Sequence, residues 1–333
     1  MRVLLPKSIR GEPPTLGQVV HTLTGETMGT YWCVQWVACA SLAGAPLRRI
    51  IEQVLADVIT QMSSWESDSQ LSQFNRLPAG NGLVLAAGFA QVIEAALQVA
   101  QQSDGAFDPC AGGAVNHWGF GPGDAYKRPG FSPSAGSVDP PSKNWQALQW
   151  HAPSARLTQP GGVVLDLSAI AKGYAVDHIA NTLLACGLEH HLVDIGGELR
   201  GSGFKPGAQP WWVDLEPPRA DSGLPLTRVA LHGMAVATSG DYRRSFADAQ
   251  GQRCSHTIDP RNGTPVRHGL ASASVLHESA MLADAWSTAL MVLGLQAGLQ
   301  RASEQGLAAL LVQRQPDGKF TEILTPAMQE WCA

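Results

Sequence analysis

The sequence predicts an α+β fold, in which a mixed, largely antiparallel sheet forms the core and helices pack against it. Helix-type and strand-type patterns are interleaved along the 333 residues. In the second half, however, several strand-like runs follow one another as hairpins do, whereas a doubly wound sheet would alternate strands with helices. Hydrophobic residues make up 44% of the chain, which is enough for a core that needs no disulfides. We therefore expect a single compact unit of two intimate subdomains.

Two helices are predicted in the first half of the chain. Apolar residues recur at i, i+3 and i+4 spacing over residues 46–62 and again over about residues 86–102. Residues 119–153 are rich in Gly, Pro and Ser, which is typical of a surface excursion.

In the second half of the chain several predicted strands are joined by only two predicted helices. Short apolar or β-branched runs predict strands at residues 163–166, 191–195, 211–215, 229–237, 272–276 and 307–312. Amphipathic or apolar patterns predict helices at residues 168–185 and 279–293.

Composition excludes several classes of function. The formal net charge is -5 and there is no run of Lys or Arg, so nucleic-acid binding is disfavoured. The six cysteines include no Cys-x-x-Cys pair, which argues against a structural zinc site. No membrane span and no signal peptide are recognised, so a cytoplasmic location is expected for the chain as written.

The segment from Asp166 to Asp177 is the first candidate site. A strand is predicted to end at Asp166 and a helix to begin near Ser168, which places Lys172 and Gly173 in the first helical turns. Free N–H groups at a helix N-terminus and a nearby ammonium converge on an anion such as a phosphate. The alternative is a capping aspartate followed by an ordinary helix with a solvated lysine.

A second candidate lies inside the last apolar helix. Asp284 and Thr288 are four residues apart, so their oxygens lie on one face. Burying them is costly unless something satisfies them, and Mg²⁺ prefers such hard oxygen ligands. Alternatively, Asp284 caps a neighbouring element and Thr288 bonds back to its own helix.

His256 and a group of glycine turns complete the candidates. His256 precedes a rigid Asp-Pro-Arg-Asn-Gly loop and is either a phosphate-orienting or proton-accepting group or a lone surface histidine. The glycine turns let backbone approach a ligand closely. They lie at residues 28–30, 105–109, 195–198 and 238–241.

In their joint order these segments resemble the ApbE family of FAD:protein FMN transferases, from Met28 to about Gly294. The motifs that carry the resemblance are Met28-Gly-Thr-Tyr-Trp, Met62-Ser-Ser-Trp65 with Ser69-Gln-Leu-Ser-Gln-Phe-Asn75, Gly105-Ala-Phe-Asp108-Pro, His117-Trp-Gly-Phe-Gly, Asp166…Lys172-Gly-Tyr-Ala-Val-Asp177, Asp194-Ile-Gly-Gly-Glu198, Ala237-Thr-Ser-Gly-Asp-Tyr, His256-Thr-Ile-Asp-Pro-Arg-Asn-Gly and Ala283-Asp284…Thr288-Ala.

The resemblance implies a T-fold-related domain over residues 21–325, with an N-terminal extension at 1–20 and a tail at 326–333. It also implies site residues. FAD would be held by Met28, Trp65, Ala106, Phe107, Asp108, Asp166, Lys172 and His256. Mg²⁺ would be held by Asp284, Thr288, the carbonyl of Ala169 and a group on Ser287. His256 and Asp284 are the candidates for the catalytic base.

The activity implied is Mg²⁺-dependent transfer of FMN from FAD to a Thr or Ser hydroxyl of an acceptor flavoprotein, with release of AMP. The acceptor would be a protein such as a subunit of a membrane redox complex. Two alternatives stay open: an FAD pyrophosphatase that gives FMN and AMP, and an FAD-binding protein without turnover. Members of the family are commonly exported, often as lipoproteins.

Overall fold

The computed structural model describes residues 1–6, 8–9, 11–41, 44–133, 144–248 and 251–332. The α-helices in this part of the chain are α1 (Ala45–Met62), α2 (Gln70–Asn75), α3 (Ala87–Gln102), α4 (Gly112–His117), α5 (Ala171–Ala185), α6 (Ala280–Glu304) and α7 (Pro326–Gln329). The strands are β1 (Arg2–Leu4), β2 (Gln18–Thr27), β3 (Thr30–Cys39), β4 (Gly82–Val84), β5 (Gln149–His151), β6 (Arg156–Thr158), β7 (His191–Ile195), β8 (Glu198–Ser202), β9 (Trp211–Leu215), β10 (Thr227–Leu231), β11 (Met234–Gly240), β12 (Ser245–Ala247), β13 (Arg253–Ser255), β14 (Ile258–Asp259), β15 (Thr264–Pro265), β16 (Leu270–His277), β17 (Ala308–Arg314) and β18 (Phe320–Leu324).

One large antiparallel sheet organises the molecule. Its strand order is β18-β17-β16-β11-β8-β7-β3-β2, and each neighbouring pair is antiparallel. A smaller sheet, β1-β10-β9, contains one parallel pair, β1 with β10. The predicted α+β class with a mixed, largely antiparallel sheet is confirmed.

Helices cover one face of the large sheet and a second, smaller core covers the other. α5 and α6 lie directly on the sheet, and α1 and α3 pack outside them. The second core joins the small sheet to both chain termini through Leu4, Trp211 and Met328, which are all fully buried. Its burial ties the first strand and the last helix to the main sheet.

Most of the predicted helices and strands are confirmed, within a few residues at their ends. The strand predicted at 163–166 is wrong, because Val164 makes only a single bridge to Ala111. There the side-chain amide of Asn75 takes the place of a partner strand, since it accepts from Leu165 N at 2.8 Å and donates to Leu165 O at 3.0 Å.

Three other boundaries were also wrong for local reasons. Helix α5 begins at Ala171 and not near Ser168, because Ser168 N donates to the Asp166 carboxylate at 2.8 Å and closes a turn there. The run predicted at 229–237 is two strands separated at Gly233, whose φ is 69°. The turn predicted at 238–241 lies mostly inside strand β11.

The predicted excursion at 119–153 falls partly on residues 134–143, which are outside the described part of the chain. The described portion contains strand β5 and short 3₁₀ turns.

Helix α6 extends beyond its predicted end. Helical geometry breaks at Gly294, where φ is 73°, and resumes to Glu304. By length and composition α6 could cross a membrane, contrary to the expectation from sequence, yet 67% of its apolar window is buried inside the fold. It is the central helix of the core.

Candidate functional site

The site begins where α5 and α6 cross, at a position that only glycine fits. A Cβ on Gly173 would lie 2.3 Å from the carbonyl oxygen of Ala280, which is backbone and cannot turn aside. Across this contact Gly173 N donates to Asp284 Oδ2 at 3.1 Å. Asp177 fixes the start of α6 by accepting from Ala280 N at 2.9 Å and from Met281 N at 3.0 Å. Asp284 is thereby held beside the first turn of α5.

Three charged side chains meet at this crossing. Lys172 Nζ forms an ion pair with Glu198 Oε1, on the first residue of β8. Glu198 is only 4% exposed, and its Oε2 has no hydrogen-bond partner in the described part of the chain. Asp284 is 3% exposed. Lys172 is therefore paired with one buried carboxylate and lies near a second, so it is not a lysine held by solvent alone.

The pKa values reflect this crowding. Burial raises the pKa of Asp284 to about 7, against the opposing effect of Lys172, and Glu198 raises it further. Burial alone would lower the pKa of Lys172, but Glu198 and Asp284 outweigh it and keep that pKa above its ordinary value. An excess of negative charge at the site is consistent with both shifts.

Three hydroxyl groups lie next to Asp284. Ser239 Oγ, on β11, lies 2.7 Å from Ser287 Oγ and 2.9 Å from Thr288 Oγ1, both on α6. Ser287 Oγ also donates to the carbonyl oxygen of Asp284 at 2.8 Å. The alternative reading of α6 is thus half right: Asp284 does satisfy an N–H of a neighbouring helix, but Thr288 bonds a strand and not its own helix.

His256 faces the same region from the segment between β13 and β14. Its Nδ1 lies 3.1 Å from the carbonyl oxygen of Arg244. A carbonyl only accepts, so Nδ1 carries the proton and Nε2 is the basic nitrogen. Burial, reinforced by Arg244 and Lys172, lowers the pKa of His256 to about 4. His256 is neutral at pH 7 and is not a lone surface residue.

Asp108 lines a separate cleft of about 330 Å³, together with Gly105, Trp145 and Arg261. Its carboxylate accepts from Cys110 N at 2.7 Å and from Trp145 N at 3.2 Å. Burial nevertheless raises the pKa of Asp108 to about 6. The preceding residues Ala106 and Phe107 are buried.

The remaining predicted site residues lie on turns. Met28 is at the tip of the β2–β3 hairpin with a φ of 48°. Trp65 is 56% exposed. Asp166 is tied to the Asp108 loop, since its N–H donates to Pro109 O at 2.8 Å. Ala169 lies in the turn before α5. Hydrogen bonds join Asp284, Ser287 and Thr288 through Ser239, and Lys172 lies near enough to Asp284 to affect its pKa. In the described part of the chain, no hydrogen bond or ion pair joins Met28, Trp65 or Asp108 to these residues.

Comparison with known proteins decides the family. The sequence profile described as the ApbE family matches residues 28–311. The chain belongs to the ApbE family. Among curated ApbE relatives, an FAD:protein FMN transferase of Haemophilus influenzae is 36% identical over 313 residues, covering 91% of this chain and 89% of the relative. One from Escherichia coli is 32% identical over 94% of this chain and 89% of the relative.

Solved ApbE structures agree with the fold. The apo flavinyl transferase ApbE of Pseudomonas stutzeri superposes with a TM-score of 0.84 at 37% identity, covering 96% of this chain and 98% of that chain. The flavin transferase ApbE of Vibrio cholerae has a TM-score of 0.82 at 30% identity, covering 94% and 99%.

Two residues that the structure brings to this group were given no role from the sequence. Glu198 was read as the end of a glycine turn, and Ser239 as part of another. Their partners lie 26 and 48 residues away along the chain. An acidic residue directly after a Gly-Gly turn, in a motif already recognised, was the signal that the sequence offered for Glu198.

Proposed function

We propose that this protein transfers FMN from FAD to a Thr or Ser hydroxyl of an acceptor protein and releases AMP, in a Mg²⁺-dependent reaction. The observation that carries the proposal is the buried group of Lys172, Glu198 and Asp284 at the first turn of α5. Two carboxylates and one ammonium at the first turn of a helix suit a pyrophosphate with its cation. That the pyrophosphate belongs to FAD is inferred from the relatives, which are named FAD:protein FMN transferases.

The donor set fits a magnesium ion. In a regular helix Gly173 N would bond the carbonyl of Ala169, four residues earlier. It bonds Asp284 instead, and no hydrogen bond to Ala169 O is found in the described residues. The ion would be held by that carbonyl, by Asp284 and Thr288, and by a group on Ser287. Hard oxygen ligands of this kind are those Mg²⁺ prefers.

When bound, Mg²⁺ stabilises the negative charge that develops on the phosphoryl oxygens. The described residues contain no group of three or more His, Cys, Asp or Glu side chains that could hold a metal without substrate.

Lys172 stabilises the same charge from the protein side. Its ammonium is held by Glu198, so it is oriented before substrate arrives and needs no reorganisation during the reaction.

A base must take the proton of the acceptor hydroxyl. His256 offers a neutral imidazole with its Nε2 free of the Arg244 bond. Asp284 offers a carboxylate whose pKa is raised to about 7 by burial. Both are within the proposed site, and both remain candidates.

The rest of FAD would lie along the turns that surround this centre. We assign Met28, Trp65 and the Ala106–Asp108 turn to the flavin and adenosine halves, and Asp166 to the body of the molecule. The exposed Trp65 indole and the cleft beside Asp108 supply an aromatic face and a polar pocket. The acceptor would be a flavoprotein, such as a subunit of a membrane redox complex.

The test is mass spectrometry of an acceptor after incubation with the enzyme, FAD and Mg²⁺. We expect a mass increase of one FMN less one water, located on a single Thr or Ser. Asp284→Ala enzyme should give no adduct. An unmodified acceptor with FMN and AMP in solution would show a pyrophosphatase, and intact FAD would show a binding protein without turnover.

A further inference from the structure

The three hydroxyls next to Asp284, on Ser239, Ser287 and Thr288, can be given proton positions from the arrangement of their oxygen atoms. Each hydroxyl has one proton to donate. Ser287 gives its proton to the Asp284 carbonyl, which can only accept, at 2.8 Å. With that proton assigned to the carbonyl, we assign Ser239 as the donor in its 2.7 Å bond to Ser287.

The donor of the next hydrogen bond is assigned in the same way. Because Ser239 donates its proton to Ser287, we assign Thr288 as the donor in the 2.9 Å hydrogen bond between Thr288 and Ser239. The protons run in one direction, from Thr288 to Ser239, to Ser287 and to the Asp284 carbonyl. No described residue donates to Thr288 Oγ1, so its lone pairs stay free.

We propose that Ser239 is a positioning residue for the cation site, because it accepts the Thr288 proton and so turns the Thr288 lone pairs toward the metal. This inference rests on the proposed function, since it concerns the same magnesium ion. Ser239 lies on β11 and Thr288 on α6, so the bond also fixes the distance between sheet and helix at this point. Partners that orient a metal ligand in this way typically change metal affinity by about 10- to 100-fold.

The neighbouring residue on β11 is a matched control. Thr238 Oγ1 makes the same kind of contact with a hydroxyl, Ser274 Oγ at 2.7 Å. Successive side chains of a strand point to opposite faces of the sheet, so Thr238 points away from α6. Thr238→Ala removes a hydroxyl pair of equal length that has no connection to Thr288.

The experiment measures Mn²⁺ binding to the FAD-loaded protein without acceptor, from the loss of the free-ion signal in electron paramagnetic resonance. Chromatography checks that FAD stays intact. We expect Ser239→Ala to weaken Mn²⁺ binding by about tenfold or more. Ser239→Thr, which keeps the hydroxyl, should stay within about threefold of wild type, as should Thr238→Ala. The FAD affinity measured in EDTA should be the same in all four proteins.

Three results would overturn the inference. Equal Mn²⁺ affinity of Ser239→Ala and wild type would show that Ser239 does not orient Thr288. An equal loss in Thr238→Ala would show a general effect on the sheet. Wild-type protein that takes up no Mn²⁺ would remove the metal site itself, and with it this inference, while leaving flavin transfer to be judged by the acceptor adduct.

Discussion

At Lys172 the ion pair with Glu198 determines what a substitution does. Glu198 is almost fully buried, and within the described ranges its Oε2 has no hydrogen-bond partner even when Lys172 is present. Removing one member of a buried pair leaves the other charge uncompensated, which costs more than the pair itself contributes. The two residues must therefore be changed together if binding is to be separated from folding.

Lys172→Met should lower the free energy of unfolding by about 2–4 kcal/mol, because Glu198 loses its counter-charge. It should also weaken FAD binding by about tenfold to hundredfold through loss of a charge-assisted hydrogen bond. In the double variant Lys172→Met with Glu198→Gln we expect most of the stability to return, but not the FAD affinity. Denaturant titration and calorimetry measure the two effects. Unchanged FAD affinity in the stable double variant would remove Lys172 from the binding site.

Asp108 gives a second prediction at this scale, in the pH dependence of stability. Burial raises its folded pKa from 3.8 to about 6. A raised pKa means that the fold prefers the protonated acid, so this contribution is complete below about pH 4 and is lost as the pH rises through about 6. The Asp108→Asn variant has no titrating group at this position, so its stability should not fall for this reason as the pH rises.

Without FAD, the variant should therefore gain on wild type by up to about 3 kcal/mol between pH 4 and pH 7. The altered hydrogen bond to Trp145 adds a constant difference in stability, which does not change how the difference between the two proteins varies with pH. Thermal unfolding at a series of pH values measures it. Parallel curves for the two proteins would show that Asp108 is not destabilised by burial.

At the scale of elements, the crossing of α5 and α6 sets the geometry of the site. Gly173 lets the helices approach, and Asp177 holds the first turn of α6 through two N–H groups. This crossing brings Asp284 within hydrogen-bond distance of the first turn of α5. A small separation of the helices would therefore change the charged group directly.

Gly173→Ala tests this crossing. The new Cβ would lie 2.3 Å from the Ala280 carbonyl oxygen, so the helices must separate, and we expect a loss of about 2–3 kcal/mol in stability. Gly113→Ala, in α4, is the matched control, because its Cβ would meet nothing within 4 Å. That variant should be neutral or slightly stabilised, since alanine favours a helix. If both variants unfold at the temperature of wild type, the close approach is not required.

How much of these elements could be predicted depends on the range of the interactions. The period of α6 correctly placed Asp284 and Thr288 on one face, because helix spacing is local. The extended segment at 163–166 was read as a strand, since a run of apolar residues does not reveal whether its partner is a strand or the Asn75 side chain. The roles of Glu198 and Ser239 were not predicted, because they depend on the strand order that brings β8 and β11 to α5 and α6. No short stretch of sequence encodes that order.

At the scale of the whole molecule, the site is assembled from separate parts of the chain. α5 supplies Lys172, β8 supplies Glu198, β11 supplies Ser239 and α6 supplies Asp284. In the large sheet β8 and β11 are neighbours, and helices α5 and α6 both lie on the same face of this sheet. The ordered motifs identified the family without this geometry, whereas the proton chain and the unpartnered glutamate oxygen required it.

The central claim is that FMN passes from FAD to an acceptor hydroxyl and not to water. The most direct measurement is the simultaneous quantification of AMP, free FMN and protein-bound FMN after incubation of enzyme, FAD, Mg²⁺ and acceptor, with a parallel sample in EDTA. We expect one bound FMN for each AMP, little free FMN, and no reaction in EDTA. AMP matched by free FMN, with the acceptor unmodified, would contradict it.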